Sequence, residues 1–510
     1  MTRALAKVYS AELEGIEAKL VEVEVDLNIG LHAFNIVGLA DKALSEAKER
    51  VGSAIKNTGF KSPSRENRKI TVNLAPADLK KAGTQYDLAI AIGYLAATKQ
   101  VGLLEPQNKM FFGELALDGR VRKIPGGLNT AILAKELCIK ELFLPTENAR
   151  EASFITDVNI VPVETLSDLI NHLEGRCPIS SYPATEFMPA QRASVDINDV
   201  RGQRFAKRAL TVAAAGGHNI LMSGPPGSGK TMLANSMISI LPPLDLDEAM
   251  EVSRVWSSVG LLKGSFASER PFRSPHQTAS PVAIMGGGTN PKAGEISLAH
   301  RGILFLDELP EFRRDLLEAL RQPMESGEVV VSRISKNLTF PAKFILIAAM
   351  NPCPCGFWGD NEKECRCTAN EVYRYQKRVS GPLLDRIDIQ INVPRIKLNE
   401  LNESPITEEN QTHPQKNVRA ARRTQKERFQ ELGWDIKTNS EMSSKQCEQI
   451  IRPDAAGRQF LQNIFDKSLL STRSYYRILK VARTIADLEA EQNLTSAHLA
   501  EAFQLRIREA

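Results

Sequence analysis

A chain of 510 residues, 42% hydrophobic and 25% charged, is too long for one hydrophobic core, so about two to four domains are expected. Its net charge of +4 is too small to argue for nucleic acid by itself, and any basic surface must be local. No apolar run approaches ~18 residues; the longest, Leu88 to Ala97, is interrupted by Gly93 and Tyr94, so no membrane span is expected. Met1-Thr2-Arg3-Ala4 opens no hydrophobic signal region. Seven cysteines, four in one cluster, argue against a disulfide scaffold and for a reducing, cytoplasmic setting.

Residues 1–172 read as an α/β unit. Lys19 to Val25 alternates polar and apolar residues like a half-buried strand. Asp41 to Asn57 is helical in period, with Ala43, Ala47, Val51 and Ile55 four apart. Lys69 to Leu74 is a strand, Asp87 to Ala97 a buried helix, and Met110 to Val121 a hairpin turning at Asp118-Gly119. A helix over Gly127 to Leu137 and a strand over Glu141 to Pro145 follow. Gly113-Glu114-Leu115, Gly119-Arg120-Val121 and Ile124-Pro125-Gly126-Gly127-Leu128 resemble the proteolytic domain of Lon-type ATP-dependent proteases, a ribosomal S5 domain 2-like fold. That resemblance implies a Ser–Lys dyad, yet Gln85 stands at about the serine's place and Asn129 at the lysine's. Glutamine is no nucleophile and asparagine no base. Thr84 served by Lys80 or Lys81 is the residual alternative. The expectation is a proteolytically inactive Lon-like scaffold or interaction domain.

Residues 173–195, with Pro178, Pro183 and Pro189, read as a linker. Residues 196–395 then carry a nucleotide-binding pattern. Gly224-Pro225-Pro226-Gly227-Ser228-Gly229-Lys230-Thr231 is G-x-x-x-x-G-K-[ST], set between a short apolar strand (219–223) and a helix (232–238). Such a loop cradles phosphates with backbone N–H groups; Lys230 would reach the β- and γ-phosphates of ATP and the Thr231 hydroxyl would ligate Mg²⁺. Ile303-Leu304-Phe305-Leu306 ends in Asp307-Glu308, where Asp307 would hold Mg²⁺ and Glu308 act as general base. Phe344 to Met350 is a buried strand ending in Asn351, the arrangement of a sensor that helps place the lytic water. Val200-Arg201-Gly202-Gln203 matches an element that lies over the adenine in AAA+ proteins.

Three further stretches bear on partners. The interval from Thr231 to Asp307 is longer than a minimal unit needs and holds Pro271-Phe272-Arg273-Ser274-Pro275-His276 and Gly286-Gly287-Gly288 through Lys292. An insertion here is typical of the AAA+ clade of magnesium chelatases and MCM helicases, where it projects loops into a ring's pore. His276 and Lys292 are therefore DNA contacts to test, against the plainer reading of His276 as a structural histidine. Helix 311–326, ended by Gly327, precedes a hairpin over Glu328 to Phe340 with Arg333 and Lys336 near its tip; two cations there suit a phosphate backbone or are simply solvated. Cys353-Pro354-Cys355, nine residues, then Cys365-Arg366-Cys367 either close one structural Zn²⁺ site or remain reduced thiols.

Ser380 to Asp388 resembles the arginine-finger motifs of MCM helicases and magnesium chelatases, which implies that Arg386 reaches a neighbouring subunit's γ-phosphate. Residues 396–510 read as a C-terminal helical lid. Lys416 to Glu431 is a strongly basic helix, either a DNA surface or a solvated face. Ser471 or Thr472 caps a helix over 475–491. Arg473 at its start is placed as a second sensor, expected to contact the γ-phosphate in its own subunit; Arg477 is the alternative.

Taken whole, the chain resembles the ComM/YifB family of magnesium-chelatase-like AAA+ ATPases through its Lon-like N-domain, the stretch 270–277 and Asn351-Pro352-Cys353-Pro354-Cys355-Gly356. It departs at Gln277, where a second histidine is expected. The resemblance implies a homo-hexameric ring that moves on single-stranded and branched DNA, with recombination proteins as partners, and drives branch migration in homologous recombination and natural transformation. A chelatase-like or protein-remodelling ATPase is the alternative; an ATP-dependent protease is disfavoured by Gln85 and Asn129.

Overall fold

The computed structural model describes residues 4–38, 44, 46–65, 68–190, 193–262, 266–332, 337–360, 362–396, 414–468 and 471–506. The first sheet has seven strands: β1 (Ala4–Glu14), β2 (Glu17–Ile29), β3 (Ala33–Val37), β4 (Arg68–Ala75), β5 (Lys109–Phe111), β6 (Glu141–Pro145) and β7 (Asn159–Val163), ordered β3-β4-β2-β1-β5-β6-β7. The period-two pattern of β2 sends Val21, Val23 and Val25 into the core and leaves the residues between them half-buried. Helices α1 (Ala47–Asn57) and α2 (Asp87–Ala97) share that core with β1, β2 and β4. Helix α3 (Gly127–Glu136) belongs to a separate one. The expected hairpin over 110–121 is shorter: Lys109–Phe111 joins the main sheet beside β1, and only Glu114–Leu115 and Val121–Arg122 pair around the Asp118-Gly119 turn.

A five-stranded parallel sheet follows. It takes β8 (Ile220–Ser223), β9 (Phe272–Arg273), β10 (Ile303–Leu306), β11 (Ile345–Met350) and β12 (Ile389–Asn392) in the order β9-β10-β11-β8-β12. β10 and β11 are buried throughout, which is why they read as continuous apolar runs. Helices α4 (Arg204–Gly216), α5 (Lys230–Ile240) and α6 (Leu246–Ser258) accompany it. The helix expected over 311–326 is three short pieces, Leu309–Glu311, Arg314–Ala319 and Pro323–Ser326. Pro323 has no N–H to continue the ladder, and Gly327 at φ 70° ends the last piece. The lid contains α7 (Pro414–Glu431), α8 (Ser444–Ile450), α9 (Ala455–Ser468), α10 (Thr472–Leu488) and α11 (Ser496–Gln504). Ser471 caps α10 by accepting the Ser474 N–H at 3.2 Å.

The N-domain and the parallel-sheet domain share apolar side chains: Leu128, Ala131 and Leu142 pack in one cluster with Ala249, Val252 and Phe266. Asn129, at the position of the Lon-type lysine, is part of that joint. Its Nδ2 donates to Ile16 O at 2.6 Å and to Arg254 O, on α6, at 3.1 Å. Gly126 N donates to Ser257 O at 2.8 Å beside it. Gln85 is equally occupied, donating to Glu12 Oε2 and Ala82 O, each at 2.9 Å. Thr84 and Lys81 do not meet: the Thr84 hydroxyl donates to Glu114, and the buried Lys81 ammonium donates to Pro76 O. The segment read as a linker is a strap, with Tyr182 N bonded to Ile160 O, Ala190 N to Ser268 O, and Phe187 edge-on to Phe266. We predict that Asn129→Leu, which removes the side-chain donor to the Ile16 and Arg254 carbonyls, lowers stability by about 1–3 kcal/mol. The check is a urea titration with hydrogen exchange at residues 254–257; an unchanged midpoint and unchanged exchange would remove Asn129 from the joint.

Candidate active site

The sequence motifs converge at the carboxyl ends of the parallel strands, where open α/β sheets bind ligands. β8 ends at Ser223 and α5 begins at Lys230, so residues 224–229 form the connecting loop. Gly224 has no room for a side chain, since a Cβ there would lie 2.2 Å from Val393 O. Gly229 sits at φ 90° with open space where a Cβ would point; the loop is a concave cradle at the helix N-terminus. Lys230 Nζ donates to Gly224 O at 2.8 Å, Pro225 O at 3.0 Å and Asn351 Oδ1 at 3.3 Å. Burial pulls its ammonium below the ordinary value, and Asp307 and Glu308 oppose the shift. Thr231 Oγ1 donates to Asp307 Oδ2 at 2.9 Å, so two oxygen donors of the kind Mg²⁺ prefers already face each other. Glu308 follows at φ 53°, a conformation that non-glycine residues hold mainly at functional sites. Gln203 Nε2 reaches Ser228 O at 3.3 Å and Pro394 O at 2.6 Å, tying the 200–203 element to this loop.

The two arginines lie elsewhere. Ile389 of β12 is in register with Ile220, the first residue of β8, so Arg386 and Asp388 precede the amino ends of the strands. Arg386 donates to Pro382 O at 2.6 Å and pairs with Glu325 at 3.0 Å. Arg473 pairs with the same Glu325 carboxylate. Arg473, expected as a second sensor, thus lies with Arg386 and Glu325 and not beside residues 224–231. Helix α10 is anchored at the opposite edge of the sheet from residues 224–231, with Arg477 donating to Arg386 O at 2.8 Å and to Asp388. Sequence reasoning missed Glu325, because nothing local marks it as the meeting point of two distant arginines.

Asp388 is the centre of this edge. It is 4% exposed, takes the Asn219 N–H at 3.1 Å and lies 3.5 Å from His218 Nδ1. Burial acts to raise its carboxyl, but Arg477 and His218 outweigh it and hold it well below the usual range.

The four cysteines also come together. Cys353 Sγ is 3.4 Å from Cys355 Sγ and 3.7 Å from Cys365 Sγ; Cys355 and Cys365 are 3.5 Å apart. Together with Cys367 all four sulfurs lie within 4.8 Å of one another. Four thiolates around one zinc sit about 3.8 Å apart, given Zn–S near 2.3 Å, so the donor set fits that ion. Mainly through the Phe357 N–H, the Cys355 thiol is brought down to about 6. The cysteine loop touches the cradle, since a Cβ on Gly356 would lie 2.5 Å from Pro226.

The expected DNA contacts are less convergent. Lys292 is exposed on a hairpin, Gly286–Gly287 with Lys292–Ala293. That hairpin lies beside the one formed by Glu328–Ser332 and Asn337–Pro341: a Cβ on Gly287 would lie 3.9 Å from Val331. Arg333 and Lys336, expected at its tip, lie outside the described residues. His276 is exposed and makes a local 2.8 Å contact with Thr278 Oγ1. The basic helix α7 is partly turned inward: Arg422 donates to Ala214 O, and Arg428 pairs with Asp487.

Residues 196–401 match the family model described as magnesium chelatase, subunit ChlI. Residues 23–148 and 408–506 match those for subunit ChlI of Mg-chelatase and its C-terminal part. Over 508 residues the chain is 44% identical to competence protein ComM of Haemophilus influenzae, covering 99% of this chain and 97% of the relative. It is 41% identical to YifB of Salmonella typhimurium, with 99% and 97% covered. A Lon protease of Rhizobium meliloti is 29% identical over 180 residues, 34% of this chain and 22% of that one.

Replacing Asp388 by Asn leaves Arg477 without its carboxylate, and breaking such a buried pair costs about 3–5 kcal/mol. Because the folded carboxyl titrates below its unfolded value, its stabilisation is present above pH ~4 and is lost as pH falls from there toward the folded value. Thermal unfolding of wild type and Asp388→Asn should differ by several degrees at pH 7 and converge in strong acid. A gap that persists unchanged at pH 2 would show that charge is not the cause.

Proposed function

The chain belongs to the ComM/YifB family of magnesium-chelatase-like AAA+ proteins, and on that premise we propose that it is an ATP-hydrolysing DNA motor working as a homo-hexameric ring in the cytoplasm. We propose branch migration as its task, serving homologous recombination and natural transformation. One observation carries the reading. Lys230, Thr231, Asp307 and Asn351 meet at one end of the parallel sheet, while Arg386 and Arg473 share Glu325 at the other. This separation supports a site completed between two copies of the chain, the phosphate loop from one and the arginines from its neighbour.

In such a ring Lys230 leaves its two loop carbonyls for the phosphates of the substrate ATP. Thr231 and Asp307 would hold Mg²⁺, which would neutralise charge on the phosphate oxygens. Glu308 takes the proton of the attacking water, and Asn351, bonded to Lys230, orients that water. Arg386 and Arg473 leave Glu325 and stabilise charge on the neighbour's transferring phosphate. Lys292, Arg333, Lys336 and His276 supply pore contacts to the DNA backbone. Cys353, Cys355, Cys365 and Cys367 hold a structural zinc; four thiolates leave no open position for catalysis.

The first test is ATP hydrolysis with and without single-stranded and four-way-junction DNA. Strong stimulation is expected, with loss of about 100-fold or more in Lys230→Ala; a rate indifferent to DNA would favour a chelatase-like or protein-remodelling machine. Sharing of sites between subunits is tested by mixing. Arg386→Ala and Glu308→Gln proteins should each be inactive and regain part of the activity when combined, because an intact arginine then serves an intact glutamate next door. No recovery would place the arginine's role within one chain. Metal analysis should find one zinc per chain, lost in Cys353→Ser with a fall in Tm; full stability without bound metal would leave the cysteines as free thiols.

A further inference from the structure

A cavity of about 700 Å³ lies between the lid and the amino ends of the parallel strands. Its floor is the start of β8, β11 and β12 at Asn219, Ile345 and Asp388, and its roof is the lid segment 436–444 with the first turns of α10. It is not the ATP cradle. That cradle sits at the other end of the four-residue strand β8, about 13 Å away along the chain direction.

Eight basic side chains and four carboxylates line this cavity. The carboxylates are already engaged: Glu248 with Arg270, Asp388 with Arg477, Glu325 with Arg473, and Glu441 with Arg301 and Lys343. Two cations are left with main-chain carbonyls. Arg422 donates twice to Ala214 O, and Lys480 donates to Ser440 O at 2.9 Å. Both are half-buried, so they still face the cavity's solvent. Their depth depresses both, Arg422 to about 10. Glu248 and Glu441 attract Arg422, and Asp388 and Glu441 attract Lys480, but neither cation has a carboxylate of its own because each of those is ion-paired elsewhere; an anion in the cavity would supply the close partner. The Thr438 and Ser440 hydroxyls, 3.0 Å apart on the roof, add neutral oxygen-binding groups, and the amino end of the 17-residue helix α10 adds its partial positive charge. The volume falls within the ~300–1,000 Å³ of small-molecule sites.

We propose that this cavity is a second binding site, distinct from the ATP cradle, for a small molecule carrying a di- or triphosphate group. Arg422 and Lys480 bind the phosphates, and the ligand bridges core and lid. Because Glu325 and Arg473 are on its wall, occupancy also bears on how readily the arginine pair is released to a neighbour. The site itself does not depend on ring assembly or on DNA.

The test uses the full chain as Lys230→Ala, to weaken phosphate binding at the cradle. Inorganic tripolyphosphate and ADP are titrated separately by calorimetry at fixed ionic strength, and each complex is mapped by hydrogen exchange. Saturable binding of one molecule per chain is expected for at least one probe. Protection should fall on 436–444 and 472–480, and affinity should drop at least 10-fold in Lys480→Met. Tripolyphosphate alone binding identifies the phosphate chain as the determinant; ADP alone binding identifies a nucleotide. Arg422→Gln is the second variant should Lys480→Met fold poorly. Weak, unsaturable binding, affinity unchanged in either folded variant, or protection confined to 224–231 would overturn the proposal.

Discussion

One buried carboxylate fixes the lid at the amino edge of the parallel sheet, beside the apolar cluster that the lid and sheet share. Asp388 precedes an edge strand of the parallel sheet and takes the Arg477 guanidinium of α10. Arg477 also bonds the main chain at Arg386, and Arg506, just after α11, bonds Ile387 O and Asp388 O. A charge this deep is tolerated only with a close counter-ion and further donors, so this part of the lid has one seat and it is at the amino edge. Arg473, one turn ahead of Arg477, is thereby placed next to Arg386. Two arginines from distant parts of the sequence then share Glu325, which neutralises them where they stand.

The same seat sets the arginine pair apart from the residues of the phosphate loop. Apolar parallel strands place every residue that follows their carboxyl ends on one side of the sheet: the phosphate cradle after β8, Asp307 after β10, Asn351 after β11. The arginines precede β12 or cap the lid and so face the other way. Polarity of the strands, a backbone property, decides this before any side chain is considered. The cavity under the lid at the amino edge is lined by charged side chains set among apolar ones such as Leu241, Ile345 and Met442.

In the N-domain, two positions that a Lon-type dyad would use are taken up by packing. Gln85 and Asn129 stand where a Lon-type enzyme has its nucleophile and base, and each has its amide donors engaged by oxygens. Asn129 is the more consequential, because one of those oxygens is on α6 of the next domain. Its short amide spans the gap between Ile16 and Arg254 beside the Gly126 and Leu128 N–H bonds to Ser257, without adding a charge to the joint. The strap at 177–190 crosses the same joint, so the two domains meet through a packed interface and not through a tether.

Much of the catalytic half was legible from the sequence because its signals are local. A glycine-rich loop between a strand and a helix, or four apolar residues ending in Asp-Glu, specifies backbone shape and chemistry within about ten residues. Helices 87–97 and 127–136 were legible for the same reason, as was the alternation of β2. The break at Pro323 was hidden by an apolar period that continued across it. The basic face of α7 was ambiguous, because the charge of Arg422 and Arg428 is visible in the sequence while their acceptors, Ala214 O and Asp487, are not. By itself the sequence determined the composition of the ATP cradle, the four-cysteine set and the loss of the Lon-type dyad, since each is carried by residue identity at short spacing. Only the tertiary structure decided at which end of the sheet each arginine lies, what Asn129 holds, and where basic side chains gather, because those depend on Coulomb and packing contacts between segments far apart in the chain.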